Sequence, residues 1–367
     1  MTPLLLPGLL LGLACHSASP GDDSAAGTPG QATLVLSALS PDEAAARVGL
    51  SQDGTVQCGA LSFTASAGST MVYLAGLPSG QTTSCTATSP GDDPASATVT
   101  LPTATSPGLS LFDNAHGEQS GNADWVIDDN SPDPSPADPS GPDAWKGAYS
   151  SFGYALLGLG YSLRTNTGTL SAETLAGVQV LVLPEPNQSL SAAELGAVSD
   201  FVQGGGGLVL ITDHHGSDRD GDGVDSTDVA DALLQAMGAR VQQASESLDV
   251  SQEDNTTGTT ALAGDPVLRG RSGAVNQFDL YNASAFTVSG LPDSRVVLYR
   301  QGHAGDASQG ARVAAAWVGA GRVLCVSDSA PADDGTGASG ETLYQSWTEA
   351  DDAALFTNGV DWAAGVR

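Results

Sequence analysis

The stretch GGGGLVLITDHHGSDRDGDGVDSTD, Gly204–Asp228, decides the fold. Four glycines lead into a short apolar run, GLVLIT, and an Asp-His-His-Gly turn follows at once. An unbroken apolar run of this length, bounded by glycines, reads as a strand buried on both faces, the strand type of a parallel sheet covered by helices. Asp213 and His214 then stand at its carboxyl end, where open α/β sheets place their ligand-binding loops.

The segments on either side repeat the pattern. LSLF, VQVLVLPEP, SRVVLYR, RVAAAWVG and GRVLCVSD are further apolar strands. AYSSFGYALLGLG, LSAAELGAVSDFVQ, VADALLQAMG and ALFTNGVDWAA carry apolar residues at helical spacing, with Phe152, Leu156 and Leu159 on one face and Leu195, Val198 and Val202 on another. Helices alternating with apolar strands predict an α/β domain over residues 107–367, a mostly parallel sheet flanked by helices. The segment from 242 to 292 is less regular and reads as an insertion with a few extra strands. DDNSPDPSPADPSGPDAW, residues 128–145, is too rich in proline and aspartate for helix or central strand and forms an extended loop, either a lid or a solvated excursion.

Upstream, residues 31–106 hold short β-like runs at regular spacing, among them ATLVLSAL, VQCGALSFTA, TMVYLAGL and SATVTLPT. They predict a small β-sandwich, and YLAGLPSGQTTSCTATS resembles the central hairpin of fibronectin type III or Ig-like modules. Cys58 and Cys85 lie in this region and are candidates for a disulfide, while Cys325 reads as a buried, inert thiol in a core strand.

Residues 1–15, MTPLLLPGLLLGLAC, form a short apolar run ending in small residues before Cys15. The ending GLAC resembles a bacterial lipoprotein processing box, although Gly12 stands where leucine is usual and no Lys or Arg precedes the run. Lipidation of Cys15, export, and residence in the cell envelope at the outer membrane or cell surface follow as expectations, with membrane contact through the lipid alone. Residues 16–30 have the composition of a flexible tether.

The 367 residues carry 42 acidic against 12 basic side chains, a formal net charge of −30. Nucleic acid is thereby excluded as a partner held by charge, and cations are favoured. The expected ligand is otherwise a small molecule, carbohydrate or peptide.

Of five histidines, one is in the tether and four fall at predicted strand ends: His116, His214, His215 and His303. Acidic residues share those ends, including Glu118, Asp213 and Asp328. Imidazole and carboxylate on one rim are the ligand chemistry of zinc, manganese or iron, so His116, Glu118, Asp213, His214, His303 and Asp328 are candidate metal ligands. Among them Glu118, Asp213 and His214 are the candidate catalytic set, with Glu118 as base on a metal-activated water. The ladder Asp218, Asp220, Asp222, Asp225 and Asp228, with Gly223 at the turn, resembles the start of a calcium loop, although Val229 occupies the place of its bidentate glutamate. Calcium there would be a clip beside Asp213. No cysteine occupies the turn after GLVLIT, which excludes a cysteine amide-transfer enzyme, and no G-x-S-x-G elbow surrounds Ser327 or Ser329.

The phrases FDNAHGEQSGNADWVID, FVQGGGGLVLITDHHGSDRDGDGVDS and GRVLCVSDSAPADDGTG carry a resemblance to the class I glutamine amidotransferase-like superfamily, in the broad sense that includes flavodoxin-like domains of exported bacterial proteins without the catalytic cysteine. The resemblance spans roughly 260 residues, a size usual for one large α/β domain. It implies that fold and, by position in those phrases, His116, Glu118, Asp124, Asp213, His214, Asp218, Asp220, Asp328, Asp333 and Asp334 as site residues. Two functions remain open: a metal-dependent hydrolase, or a non-catalytic, calcium-stabilised binding or adhesion protein.

Overall fold

A computed structural model describes residues 30–244, 253–256, 262–305, 310–338 and 343–366. The expected export signal, Cys15 and the expected tether lie outside the described residues, apart from Gly30.

Seven strands open the chain: β1 (Thr33–Ser40), β2 (Glu43–Leu50), β3 (Gly54–Cys58), β4 (Leu61–Ala65), β5 (Gly68–Ala75), β6 (Thr82–Thr88) and β7 (Ala95–Thr100). β1-β2-β5 and β4-β3-β6-β7 form two antiparallel sheets that share one core, in which Leu36, Val48 and Leu74 of the first meet Val56, Ala87 and Val99 of the second. Cys58 and Cys85 are cross-strand neighbours on β3 and β6 and are joined by a disulfide within that core.

The rest of the chain runs β8 (Leu109–Asp113), α1 (Ser150–Gly158), β9 (Ser162–Asn166), β10 (Val178–Pro184), α2 (Ala192–Gln203), β11 (Gly207–Ile211), α3 (Ser226–Met237), β12 (Val241–Gln243), β13 (Glu253–Thr256), β14 (Arg269–Gly270), β15 (Gly273–Ala274), β16 (Gln277–Leu280), β17 (Phe286–Val288), β18 (Ser294–Tyr299), β19 (Ala311–Val318), β20 (Gly321–Val326) and α4 (Asp352–Ala363). Nine of these strands build one mixed sheet in the order β12-β17-β19-β20-β11-β10-β8-β9, with β18 also on β19. β9, β8, β10, β11 and β20 are parallel. β19, β18, β17 and β12 join antiparallel, so the sheet is parallel over only about half its width, where a mostly parallel one is expected from sequence. The cause is the tight turn at Gly319, which sends β19 straight back as β20 with no crossover helix.

Side chains alternate between two buried faces. On β10, Val180 and Val182 pack with α1 and α4, while Leu181 and Leu183 pack with α2 and α3. Cys325 is buried among the latter, and burial pushes its thiol far above the usual range, as befits an inert core residue. The two N-terminal sheets are tied to the large sheet by indole donors: Trp317 Nε1 donates to the Ala38 carbonyl at 3.0 Å and Trp362 Nε1 to that of Leu39 at 2.6 Å. The proline-rich loop is pinned to itself. Asp128 accepts from the backbone of Asn130, Ser135 and Lys146, and Trp145 is buried with its indole on the Pro136 carbonyl.

Candidate functional site

The parallel strands all deliver polar residues to one rim, and two clusters form there. The first grows from β8. Asp113, its last residue, is fully buried and pairs across the ladder with Asn166, which ends β9 and donates to Asp113 Oδ1 at 2.6 Å. The chain then turns at Gly117, where φ is 90°, and so brings His116 and Glu118 back onto Asp113. His116 Nδ1 donates to Asp113 Oδ2 at 2.5 Å and Nε2 to Glu194 Oε1 at 3.1 Å. Burial opposes a charged imidazole, but the hydrogen bond and charge of Asp113, joined by Glu194, outweigh it and hold the pKa above the ordinary value. Glu194 is fixed in turn by the capping box of α2, accepting from Ser191 N at 2.9 Å.

Glu118 is the least comfortable member. Its Oε2 accepts from His116 N at 2.7 Å, while no N–H or O–H donor reaches the buried Oε1. Burial, and then the charge of Asp113 and a side-chain hydrogen bond with it, push its pKa well up, so the position favours a proton or a cation over a bare carboxylate. Ligand atoms of Asp113, His116 and Glu118 all lie within 4.8 Å of one another, a group that fits a divalent metal.

The second cluster spans β10, β11 and β20. Glu185, directly after β10, is fully buried and holds φ at 52°, a left-handed conformation that is strained for glutamate. It accepts from Arg219 through both oxygens, from Ser217 Oγ at 3.0 Å, and from Ser329 Oγ. Asp213, directly beyond the end of β11, accepts from Arg219 Nη2 and Ser217 Oγ, both at 2.8 Å. Burial and then the Glu185 charge push its pKa up to about 7 despite Arg219. Asp328, after β20, is fully buried, takes the Tyr281 and Ala330 N–H groups, and is raised well above its usual range by burial and by Asp213. Asp333 is pushed up to about 6, mainly by burial. Four carboxyls with raised pKa values therefore gather on one rim, a pattern frequent at functional sites. Asn187 bridges the clusters, its N–H on the His116 carbonyl at 2.7 Å and its Oδ1 accepting from Arg219 N at 3.1 Å.

The expected ligand set divides accordingly. Among the described residues, His116 and Glu118 join a ligand group with Asp113, and Asp213, His214, His303 and Asp328 do not. Asp213 is committed to Arg219 and Ser217, and Asp328 to backbone N–H groups. His214 turns its Nδ1 to the His215 carbonyl at 2.8 Å, and His215 meets Thr227 Oγ1 at 2.8 Å. His303 lies in the turn after β18, on the antiparallel side of the sheet. The single converging set gives way to two adjacent clusters.

The acidic ladder also divides. Asp218, Asp220 and Asp222 keep oxygens within 4.8 Å of one another. They already accept backbone bonds, Asp218 from Gly221 and Gly223 and Asp222 from Val224. Asp225 and Asp228 belong to another device, the capping box of α3, with Asp225 accepting from Thr227 N at 2.9 Å and Gly216 N at 2.6 Å. Among the described residues they do not join the oxygen group of Asp218, Asp220 and Asp222. Asp124, named by the resemblance, accepts from the loop N–H of Ala338, and Asp334, named with it, accepts from the N–H of Ser151 in the first turn of α1.

Sequence reading passes over Asp113, Glu185, Glu194 and Arg219. Glu185 sits between two prolines at a strand end, and Arg219 is the one cation inside the ladder; both signals are visible in the chain. A cavity of about 480 Å³ lies elsewhere, lined by Arg47, Met71, Leu291, Arg295 and Tyr299, and holds none of the rim carboxylates.

No protein-family model matches the sequence, and no curated protein matches it. Solved structures similar in outline include the mmIFT52 N-terminal domain (12% identity, 69% of this chain and 96% of that one, TM-score 0.46). A ThuA-like protein from Parabacteroides merdae (12%, 71% and 90%, TM-score 0.42) and a GMP synthase protein from Thermoplasma acidophilum (11%, 71% and 95%, TM-score 0.38) are others.

Proposed function

We propose that this chain is an exported, lipid-anchored hydrolase whose working centre is the carboxyl rim of the large sheet, with a divalent metal, zinc, manganese or iron, held by Asp113, His116 and Glu118. The observation that carries it is the Glu118 Oε1 atom, buried without a donor in a group whose ligand atoms lie within 4.8 Å. A cation, taking the place of a proton shared between Glu118 and Asp113, would satisfy such an oxygen. His116 would bind as neutral imidazole, exchanging its bond to Asp113 or Glu194 for the ion, and Asn166 and Ser191 would keep orienting the carboxylates. The ion would supply Lewis acidity toward a substrate oxygen. Asp213, with its carboxyl at about 7 and held in place by Arg219 and Ser217, would be the rim group suited to take a proton from water.

The lipid on Cys15 would fix the protein to the envelope, and the two N-terminal sheets, as a fibronectin type III or Ig-like sandwich, would hold the rim away from the membrane. The net charge of −30 disfavours nucleic acid as a partner.

The test is metal analysis of purified protein and of His116→Ala and Glu118→Gln, with turnover measured on ester, amide, phosphate and glycoside panels. One transition metal per chain, lost in both variants along with turnover, is expected. Absence of stoichiometric metal from the parent protein overturns the metal centre.

One observation favours a second reading. Asp113, Glu118, Glu185 and Asp328 have zero exposure, the closure usual for structural metal sites. On that reading the protein binds a small molecule, carbohydrate or peptide without cleaving it, and calcium at Asp218, Asp220 and Asp222 stiffens the neighbouring turn. Calcium-dependent melting with no turnover on any panel would decide for it.

A further inference from the structure

Two tyrosines stand over the acidic rim, and the hydrolytic reading leaves both unused. Tyr281 and Tyr344 lie with ring centroids 5.0 Å apart and planes 35° apart, and Tyr344 is 38% exposed. Each hangs by its backbone from a buried carboxylate of the rim. Tyr281 N donates to Asp328 Oδ2, and Tyr344 N donates to Asp333 Oδ2 at 2.8 Å. The Tyr281 hydroxyl donates to Glu349 Oε2 at 2.7 Å, which fixes the inner ring under the outer one.

We propose that this tyrosine pair is the platform for an organic cation, an alkylated ammonium group, whose charge is met by the carboxylates around it. The carboxylates are placed for it. Glu349 sits on the Tyr281 hydroxyl, and Asp328 and Asp333 sit at the backbone N–H groups that carry the two rings. Arg219 is already spent on Glu185 and Asp213.

The alternatives use less of the site. A neutral sugar ring would stack on Tyr344 and donate hydroxyls to the carboxylates, but would leave their negative charge uncompensated. An anion is repelled by them and by the net charge of −30. A bare metal ion would take oxygens and leave the rings idle. An alkylated ammonium uses both, because its charge is attracted to ring faces and its methyl groups tolerate desolvation.

The inference gives the hydrolytic reading a substrate class and rests on that reading only for turnover. Its test is binding without turnover, so the two fail separately. Choline is titrated calorimetrically into the full chain after chelator treatment, beside its uncharged tert-butyl isostere and methyl glucoside. Choline is expected to bind at least about tenfold more tightly than the isostere. Tyr344→Ala should weaken it roughly 3- to 30-fold and Tyr344→Phe about twofold or less. Equal affinity for choline and the isostere, no choline binding at millimolar concentration, or methyl glucoside binding with the same dependence on Tyr344 would each overturn the proposal, the last in favour of a carbohydrate platform.

Discussion

Arg219 grips Glu185 side-on inside the rim: Nε meets one carboxylate oxygen and Nη2 the other, the second contact at 3.2 Å. The same Nη2 reaches Asp213, and the guanidinium lies 5.6 Å from the centre of the Trp125 ring. One cation thus balances two buried carboxylates on neighbouring strands. Removing it leaves both uncompensated in a region with almost no solvent. Arg219→Met is expected to destabilise the protein by about 3–5 kcal/mol in urea denaturation. Arg219→Lys should recover part of that loss, because a single ammonium cannot make the paired contact.

Asp352 sets a pH dependence. Burial pushes its carboxyl up to about 9, far above the value near 3.9 expected in the unfolded chain. Between those values the folded state binds more protons than the unfolded state, so stability falls as pH rises through that window. Asp213, at about 7, and Asp333, at about 6, act in the same direction over narrower windows. The protein is expected to melt higher at pH 5 than at pH 8. Asp352→Asn, which keeps the oxygen that accepts from Asp279 N, should raise stability at pH 8 by on the order of 1 kcal/mol and flatten the profile.

Asp225 caps α3, and its role is separable from calcium. Asp225→Ala should cost about 1 kcal/mol with or without calcium in the buffer. Asp218→Asn should leave the calcium-free melting temperature nearly unchanged, since the loop is exposed. A calcium-dependent loss in Asp225→Ala would return that residue to the ladder.

The Cys58–Cys85 disulfide closes a loop of 27 residues between adjacent strands. Replacing both cysteines by alanine should lower the stability of the N-terminal sheets by about 2–4 kcal/mol, measured by thermal melting of the variant beside the parent.

Alternation along single strands is enough to find the α/β frame. Val180 and Val182 against Leu181 and Leu183 already describe a strand buried on both faces, and the polar residues that follow each strand mark the rim. Strand direction is not readable, because a residue buried on both sides looks the same in a parallel and an antiparallel ladder. RVAAAWVG therefore passes as one more parallel strand, and only the short turn at Gly319 reverses it. At the site, strand-end position identifies His116, Glu118 and Asp213 but not their partners. Which carboxylate faces which cation depends on contacts such as Arg219 with Glu185, 34 residues apart. The D-S-T-D run is ambiguous by chemistry, since aspartates at that spacing serve a helix cap as readily as a cation loop.

The indole of Trp362 ends in the Leu39 carbonyl, a bond spanning 323 residues. During synthesis, strand β1 is complete long before helix α4 exists. The N-terminal sheets therefore rest on their own core and disulfide until β19 brings Trp317 to Ala38 and α4 then brings Trp362 to Leu39. Their seating on the large sheet is thus built in two steps, and a chain lacking α4 would keep the first indole tie and lose the second.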